Sequence, residues 1–213
     1  ALTIKGGALY QVTDALDRYP ATVAIDSRIT TSISVLGDLA PAESLQWAST
    51  LGSLGLTQFA LPWADADPLA SLAIDTLVYA RLGEFPWVHG EAISNNQLAT
   101  LATRSASAVL LSSDSLPSDR AVVVVGDTRI IRVDAQLSTL ARAALQAPTP
   151  FEAEADLQRA QGIIAYRALS KNTEILTFST GRLPATAIAP RLEAVLAGFQ
   201  AMPMANTVAV PLQ

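Results

Sequence analysis

The chain has no cysteine and a single histidine, His89, among its 213 residues. Without thiols it forms neither a disulfide nor a thiolate metal site. That lack leans toward export. A hydrolytic zinc commonly takes two or three imidazoles, so one histidine argues against zinc catalysis, and no metal or other cofactor is expected. Charge is also sparse, at 15% of residues, with 14 basic against 19 acidic side chains and a net charge of −5. The basic residues form no patch, which argues against a nucleic-acid partner or an anionic membrane surface. No apolar run approaches the ~20 residues of a membrane-spanning helix. Neither G-x-G-x-x-G nor G-x-x-x-x-G-K occurs, so no phosphate-cradling loop marks a nucleotide site. A G-x-S-x-G nucleophile elbow is missing as well.

What the chain has is apolar residues, half of the total. At this length one domain over residues 1–213 buries roughly 70% of its unfolded surface. Several short apolar runs stop on a polar side chain. Ala21–Ile25 ends at Asp26, and Phe59–Trp63 at Asp65 and Asp67. Phe85–Val88 ends at His89 and Glu91, Ala108–Leu111 at Ser112, and Ile130–Val133 at Asp134. Helical segments alternate with most of these runs. Leu9, Val12 and Leu16 share a face, and Leu45, Trp47, Ala48 and Leu51 make a second stripe. Asp67-Pro68 opens a helix to Arg81, and Ser94 with Gln97 forms a capping box. Further helices run from about Glu152 to Ser170 and from about Thr186 to Phe199. Strands are also expected over Thr173–Ser179 and Asn206–Val210.

This order predicts an α/β fold of mostly parallel strands alternating with helices. Residues 121–134 are the exception. Val122–Val125 and Ile130–Val133 flank Gly126-Asp127-Thr128-Arg129, too short for a parallel crossover, so they pair as an inserted β-hairpin. The sheet is either open and doubly wound or closed. Functional side chains at five strand ends favour a distorted or incomplete (β/α) barrel, whose strand ends share one mouth. Six parallel strands are expected in one sheet. The chain opens on a helix, so a first strand is expected upstream of Ala1.

The strand ends supply the candidate residues. Asp65 and Asp67 alternate, with Asp67 read as the helix cap and Asp65 as the freer carboxylate. Trp63 offers an aromatic face for a sugar, although a packed aromatic is the commoner role. His89 and Glu91 sit together at a strand end, where a base or a ligand contact belongs. Asp26, Asp65, Glu91 and Asp134 are the candidates for a carboxylate pair, which glycoside hydrolysis needs at about 5–10 Å. Trp63, Asp65, His89 and Glu91 are the candidate ligand-binding set. Ser112-Ser113-Asp114-Ser115 reads as a solvated loop. Asp26 and Asp134 repeat one pattern, apolar-Asp-x-x-apolar, with Ile29 and Leu137 as anchors. They are expected to converge on one face and to cap the following turn.

Several of these segments occur together in one family. Gly7-Ala8-Leu9, Ala24-Ile25-Asp26-Ser27-Arg28-Ile29, Ser34-Val35-Leu36-Gly37, Ala60–Asp67 and Val133-Asp134-Ala135-Gln136-Leu137-Ser138 come in the order found there. The chain resembles uncharacterised exported proteins of actinobacteria, large cell-envelope proteins often encoded beside the lipid II flippase. Those carry an N-terminal signal and a C-terminal membrane anchor. The resemblance implies an extracytoplasmic, envelope-associated location within a longer membrane-anchored protein. It also implies a barrel similar to that of polysaccharide deacetylases and related glycosidases. Deacetylases of that type carry an Asp-Asp pair and an H-x-x-x-H motif. Here Ser27 follows Asp26 and no second histidine exists, so their metal chemistry does not carry over.

Three functions follow from this reading. The first is a non-catalytic envelope module that binds a glycan or a partner protein at the barrel mouth. The second is a metal-independent glycan hydrolase using paired carboxylates. Cytosolic sugar or phosphate metabolism is the third and has the least support.

Overall fold

The computed structural model describes residues 3–19, 21–55, 57–61, 87–88, 93–104, 108–116, 118, 120–171, 176–181 and 189–202. They form a mixed α/β structure. In chain order the elements are α1 (Ala8–Leu16), β1 (Thr22–Asp26), α2 (Ser27–Leu36), α3 (Ala42–Ser53), β2 (Thr57–Leu61) and β3 (Trp87–Val88). Then come α4 (Asn95–Arg104), β4 (Ala108–Ser112), β5 (Val122–Val125), β6 (Thr128–Val133), α5 (Ala135–Gln146), α6 (Pro150–Lys171) and α7 (Ala189–Gln200). The expected helix over 67–81 and the expected strand over 206–210 lie outside the described residues.

Strands β1 and β2 pair in parallel, with Asp26 opposite Leu61. A second sheet has the order β3-β4-β6-β5. Its β3–β4 and β4–β6 pairs are parallel, and only β5 runs antiparallel. The expectation of one sheet is therefore corrected: the described strands fall into two, and neither is closed. The hairpin also differs from a simple insertion. Its second arm, β6, is itself the parallel neighbour of β4, so β5 alone is the added strand. Past the start of β5, Thr177 takes over the same edge of β6 through a parallel bridge to Val133.

Alternation of side chains distributes the second sheet over two cores. Val109, Leu111 and Ile130 face Leu101 of α4, with Val123 and Val125 packed alongside. Ala108, Leu110, Ile131 and Val133 face the other way, toward Leu61 of β2, with Ala24 of β1 and Trp87 of β3 against them. Both faces of β4 are covered, which explains why four of its five residues are buried. A third core lies among the helices, where Leu137 and Leu145 of α5 meet Leu157 of α6 and Val195 and Phe199 of α7.

Local chemistry sets the helix ends. Ser94 and Gln97 cap α4 reciprocally, with N–H to oxygen distances of 2.9 and 3.3 Å. Thr149 and Glu152 do the same for α6, at 3.1 and 3.2 Å, with Pro150 at the first helical position where no N–H is missed. In α3 the buried stripe is narrower than its sequence suggests. Trp47 and Leu51 are inside, whereas Leu45 is 39% exposed. The indole of Trp47 donates to the Thr13 hydroxyl at 2.8 Å, joining α3 to α1.

Candidate functional site

The densest polar arrangement among the described residues lies where β6 ends. Asp134 keeps an extended backbone, φ −65° and ψ 114°, and so stands as the N-cap of α5. Its Oδ1 accepts from the Leu137 N–H at 2.8 Å. Its Oδ2 forms an ion pair with the guanidinium of Arg167, on α6. The Asp134 N–H donates to the Thr177 carbonyl at 2.7 Å, and its carbonyl accepts from the Ser138 hydroxyl at 2.5 Å. Ser138 Oγ in turn accepts from the Ser179 N–H at 3.0 Å, and Ser179 Oγ from the Gly181 N–H at 2.9 Å. From the β4 side, Ser113 Oγ accepts from the Ala135 N–H at 2.9 Å.

This cluster ties five segments together: the end of β4, β6, α5, α6 and residues 177–181. It contradicts a solvated reading of Ser112–Ser115. Ser113 is part of the clasp and Ser115 is 6% exposed; Ser112 and Ser113 are half-buried and Asp114 is exposed. The chemistry is that of a clasp. Asp134 is 3% exposed, its charge is matched by Arg167, and both carboxylate oxygens are engaged. Ser138 gives its proton to a main-chain carbonyl, which cannot activate it as a nucleophile.

Asp26 has the same local job in a wetter place. Its Oδ1 accepts from the Arg28 N–H at 2.9 Å, capping α2. Its Oδ2 takes the Arg28 guanidinium at 2.7 Å. The expected convergence of Asp26 and Asp134 on one face does not occur. Partners in a parallel ladder point the same way, so Asp26 shares the face of its partner Leu61 and of Ala24, toward the common apolar cluster. Asp134 follows Val133, which already points into that cluster. The alternation therefore turns Asp134 to the opposite side, under α6.

Trp63, Asp65, Asp67, His89 and Glu91 lie outside the described residues. Among the described residues, no group of three or more histidine or acidic side chains could hold a metal ion. No described helix is long and apolar enough to cross a membrane.

Arg167 and Ser138 escaped sequence reasoning. Arg167 sits 33 residues beyond its partner, and no local pattern announces it. Ser138 was detectable in principle. It follows the Asp134 cap by four residues, where a hydroxyl commonly bonds the carbonyl one turn back.

Comparison with protein-family models, with curated proteins and with solved structures finds no match for this chain.

Proposed function

We propose that the chain is an extracytoplasmic cell-envelope module that binds a cell-wall glycan or an envelope protein through the mouth of an incomplete (β/α) barrel. The location follows from the family resemblance carried by segments such as Ala24–Ile29 and Val133–Ser138. The barrel reading draws on the apolar cluster to which β1, β2, β3, β4 and β6 all contribute. Strands that surround a common interior pool their inward side chains in this way. Trp63, Asp65, His89 and Glu91 are the proposed ligand contacts: an aromatic face for a sugar ring, and polar groups for its hydroxyls.

One observation favours binding over hydrolysis. Asp26 and Asp134, two of the four candidate carboxylates, each cap a helix and pair with an arginine. A general acid needs a proton to give and a nucleophile needs a free lone pair. An arginine-paired cap is built for neither. Asp65 and Glu91 remain as the pair that a hydrolase would require.

Co-sedimentation with insoluble cell-wall glycan purified from an actinobacterium tests the proposal. Wild-type protein is expected in the pellet. Trp63→Ala is expected to bind about tenfold more weakly, equivalent to losing roughly 1.4 kcal/mol. Release of soluble reducing ends, abolished by Asp65→Asn or Glu91→Gln, would establish the hydrolase instead. If pull-down with envelope extract also recovers no specific partner, a failure to sediment overturns the binding reading.

A further inference from the structure

Helix α6 carries an inference independent of the barrel mouth. Its inner side is fixed by Leu157, Ala160 and Ile164 in the helical core, and by Arg167, which reaches Asp134. The helical repeat then turns Phe151, Ala155, Gln158, Gly162, Ala165 and Leu169 outward, with Tyr166 beside them. Spacings of four and three alternate through this set, the pattern of a helix–helix seam. Phe151, Tyr166 and Leu169 are 82%, 72% and 74% exposed. Gln158 and Gly162 are exposed as well, and the two alanines are half-buried.

Gly162 is the odd residue on this face. Glycine weakens the middle of a helix, and a Cβ placed on Gly162 would meet nothing within 4 Å. No contact among the described residues therefore calls for glycine there. A bare backbone at that point suits the close approach of another helix. The face as a whole asks for a counterpart with large apolar residues at its ends and small ones between. Helix α6 is itself such a counterpart.

We propose that α6 packs antiparallel on α6 of a second copy of this chain, about a two-fold axis at residue 160. That placement sets Phe151 against Leu169 of the second copy, Ala155 against its Ala165, and Gln158 against its Gly162. Each contact occurs twice, as the symmetry requires. Large apolar side chains close both ends, and Gln158 fills the groove over the glycine. A shift of seven residues either way leaves Phe151 or Leu169 beyond the end of the other helix. The charges agree with this orientation. Glu152 and Glu154 stand at the N-terminal end, so antiparallel pairing keeps the acidic ends apart and opposes the helix dipoles. Parallel pairing would set acid beside acid. Arg159 lies beside its own copy, but Asp156 of its own helix holds it at 3.0 Å, so two ion pairs meet there. Glu152 comes beside Tyr166 of the second copy. Its Oε2 closes the cap on Thr149, which leaves Oε1 to accept from the phenol hydroxyl.

Sedimentation velocity over a concentration series tests the proposal on the chain as it stands, and a monomer–dimer equilibrium is expected. Gly162→Glu leaves the monomer folded, since nothing lies over its Cβ. It is expected to weaken the dimer by about tenfold or more, because it puts a charge into the seam. Gly162→Leu blocks the approach by bulk and serves if the charge disturbs the fold. The chain has no cysteine, so single introduced thiols read the register. Phe151→Cys and Leu169→Cys, mixed and oxidised, are expected to form a disulfide-linked dimer. Neither should do so alone, because its two copies would lie about 27 Å apart along the helices. A wild-type chain that stays monomeric into the millimolar range overturns the proposal. So does a dimer that both glycine substitutions leave intact, or one in which the mixed cysteine variants fail to cross-link.

Discussion

The β1–α2 and β6–α5 junctions are one solution placed in two environments. In each, an apolar strand ends on an aspartate whose Oδ1 accepts a main-chain N–H of the next helix, from Arg28 in one and Leu137 in the other. In each, Oδ2 meets an arginine. At β1 the arginine is two residues along the chain and 52% exposed, and the aspartate side chain is 17% exposed. At β6 the arginine arrives from α6 and is 24% exposed, with the aspartate at 4%. The Asp26–Arg28 pair orders its own turn. A pair closed over 33 residues holds α6 against the end of the sheet. Burial decides what each is worth, because water competes for the first and hardly reaches the second.

The largest effect is therefore expected from Asp134→Ala. Loss of the cap costs about 0.5–2 kcal/mol, and a buried charge left without its partner costs about 3–5 kcal/mol. Arg167 keeps some access to water, which places the sum near the low end, about 3 kcal/mol. Urea unfolding measures it. Asp134→Asn combined with Arg167→Met keeps the cap acceptor and removes the orphaned charge. That double variant should be more stable than Asp134→Ala alone. If it is not, the ion pair is not what distinguishes the two junctions.

Ser138→Ala comes next, at about 1–2 kcal/mol. The substitution leaves the Ser179 N–H without its acceptor in a part-buried place, and unmet buried donors cost about this much. A Ser138→Ala protein as stable as wild type would show that residues 177–181 are held by the Thr177 bridge instead.

Much of this comparison is visible in the order of residues. The repeat apolar-Asp-x-x-apolar marks both caps, and Ser94 with Gln97 marks α4, because capping acts within one turn. The two short valine- and isoleucine-rich runs require a hairpin, since no crossover fits between them. Helix α2 is hidden for a physical reason: Ile29, Thr30, Thr31, Ile33 and Val35 are β-branched and weak helix formers. Helix α5 does carry a signal, with Leu137, Ala141, Ala144 and Leu145 at helical spacing and all buried. Its start lies directly behind a strand, where a single aspartate serves both elements. The opposite facing of Asp26 and Asp134 depends on whether the aspartate falls within the ladder or one residue past it. Apolar patterning does not resolve a shift of one residue. The Asp134–Arg167 pair depends on how α6 crosses the sheet end, which no local rule contains.

Asp26→Ala should cost about 1 kcal/mol, the ordinary value of an N-cap. The smaller value relative to Asp134→Ala is itself the claim. Equal losses at the two sites, measured by the same urea titration, would mean that burial does not separate them.

Asp26→Asn is expected to have the smallest effect and is the sharpest probe of what the β1 aspartate does. Asparagine is about as good an N-cap as aspartate, so the bond from the Arg28 N–H survives. The ion pair with Arg28 is weakened, and a pair with a half-exposed arginine is worth about 0–1 kcal/mol and is screened by salt. The expected loss is therefore below about 0.5 kcal/mol at low ionic strength and should vanish in concentrated salt. Asp134→Asn provides the contrast: it keeps its cap as well, but it leaves Arg167 facing a neutral amide away from water. That loss should persist in salt, because ions do not enter the site. Thermal melts of both variants in low and high salt separate the outcomes. Stabilisation by both substitutions would refute the capping account at both junctions, since it would show two carboxylates held against their own preference, as a binding pair requires.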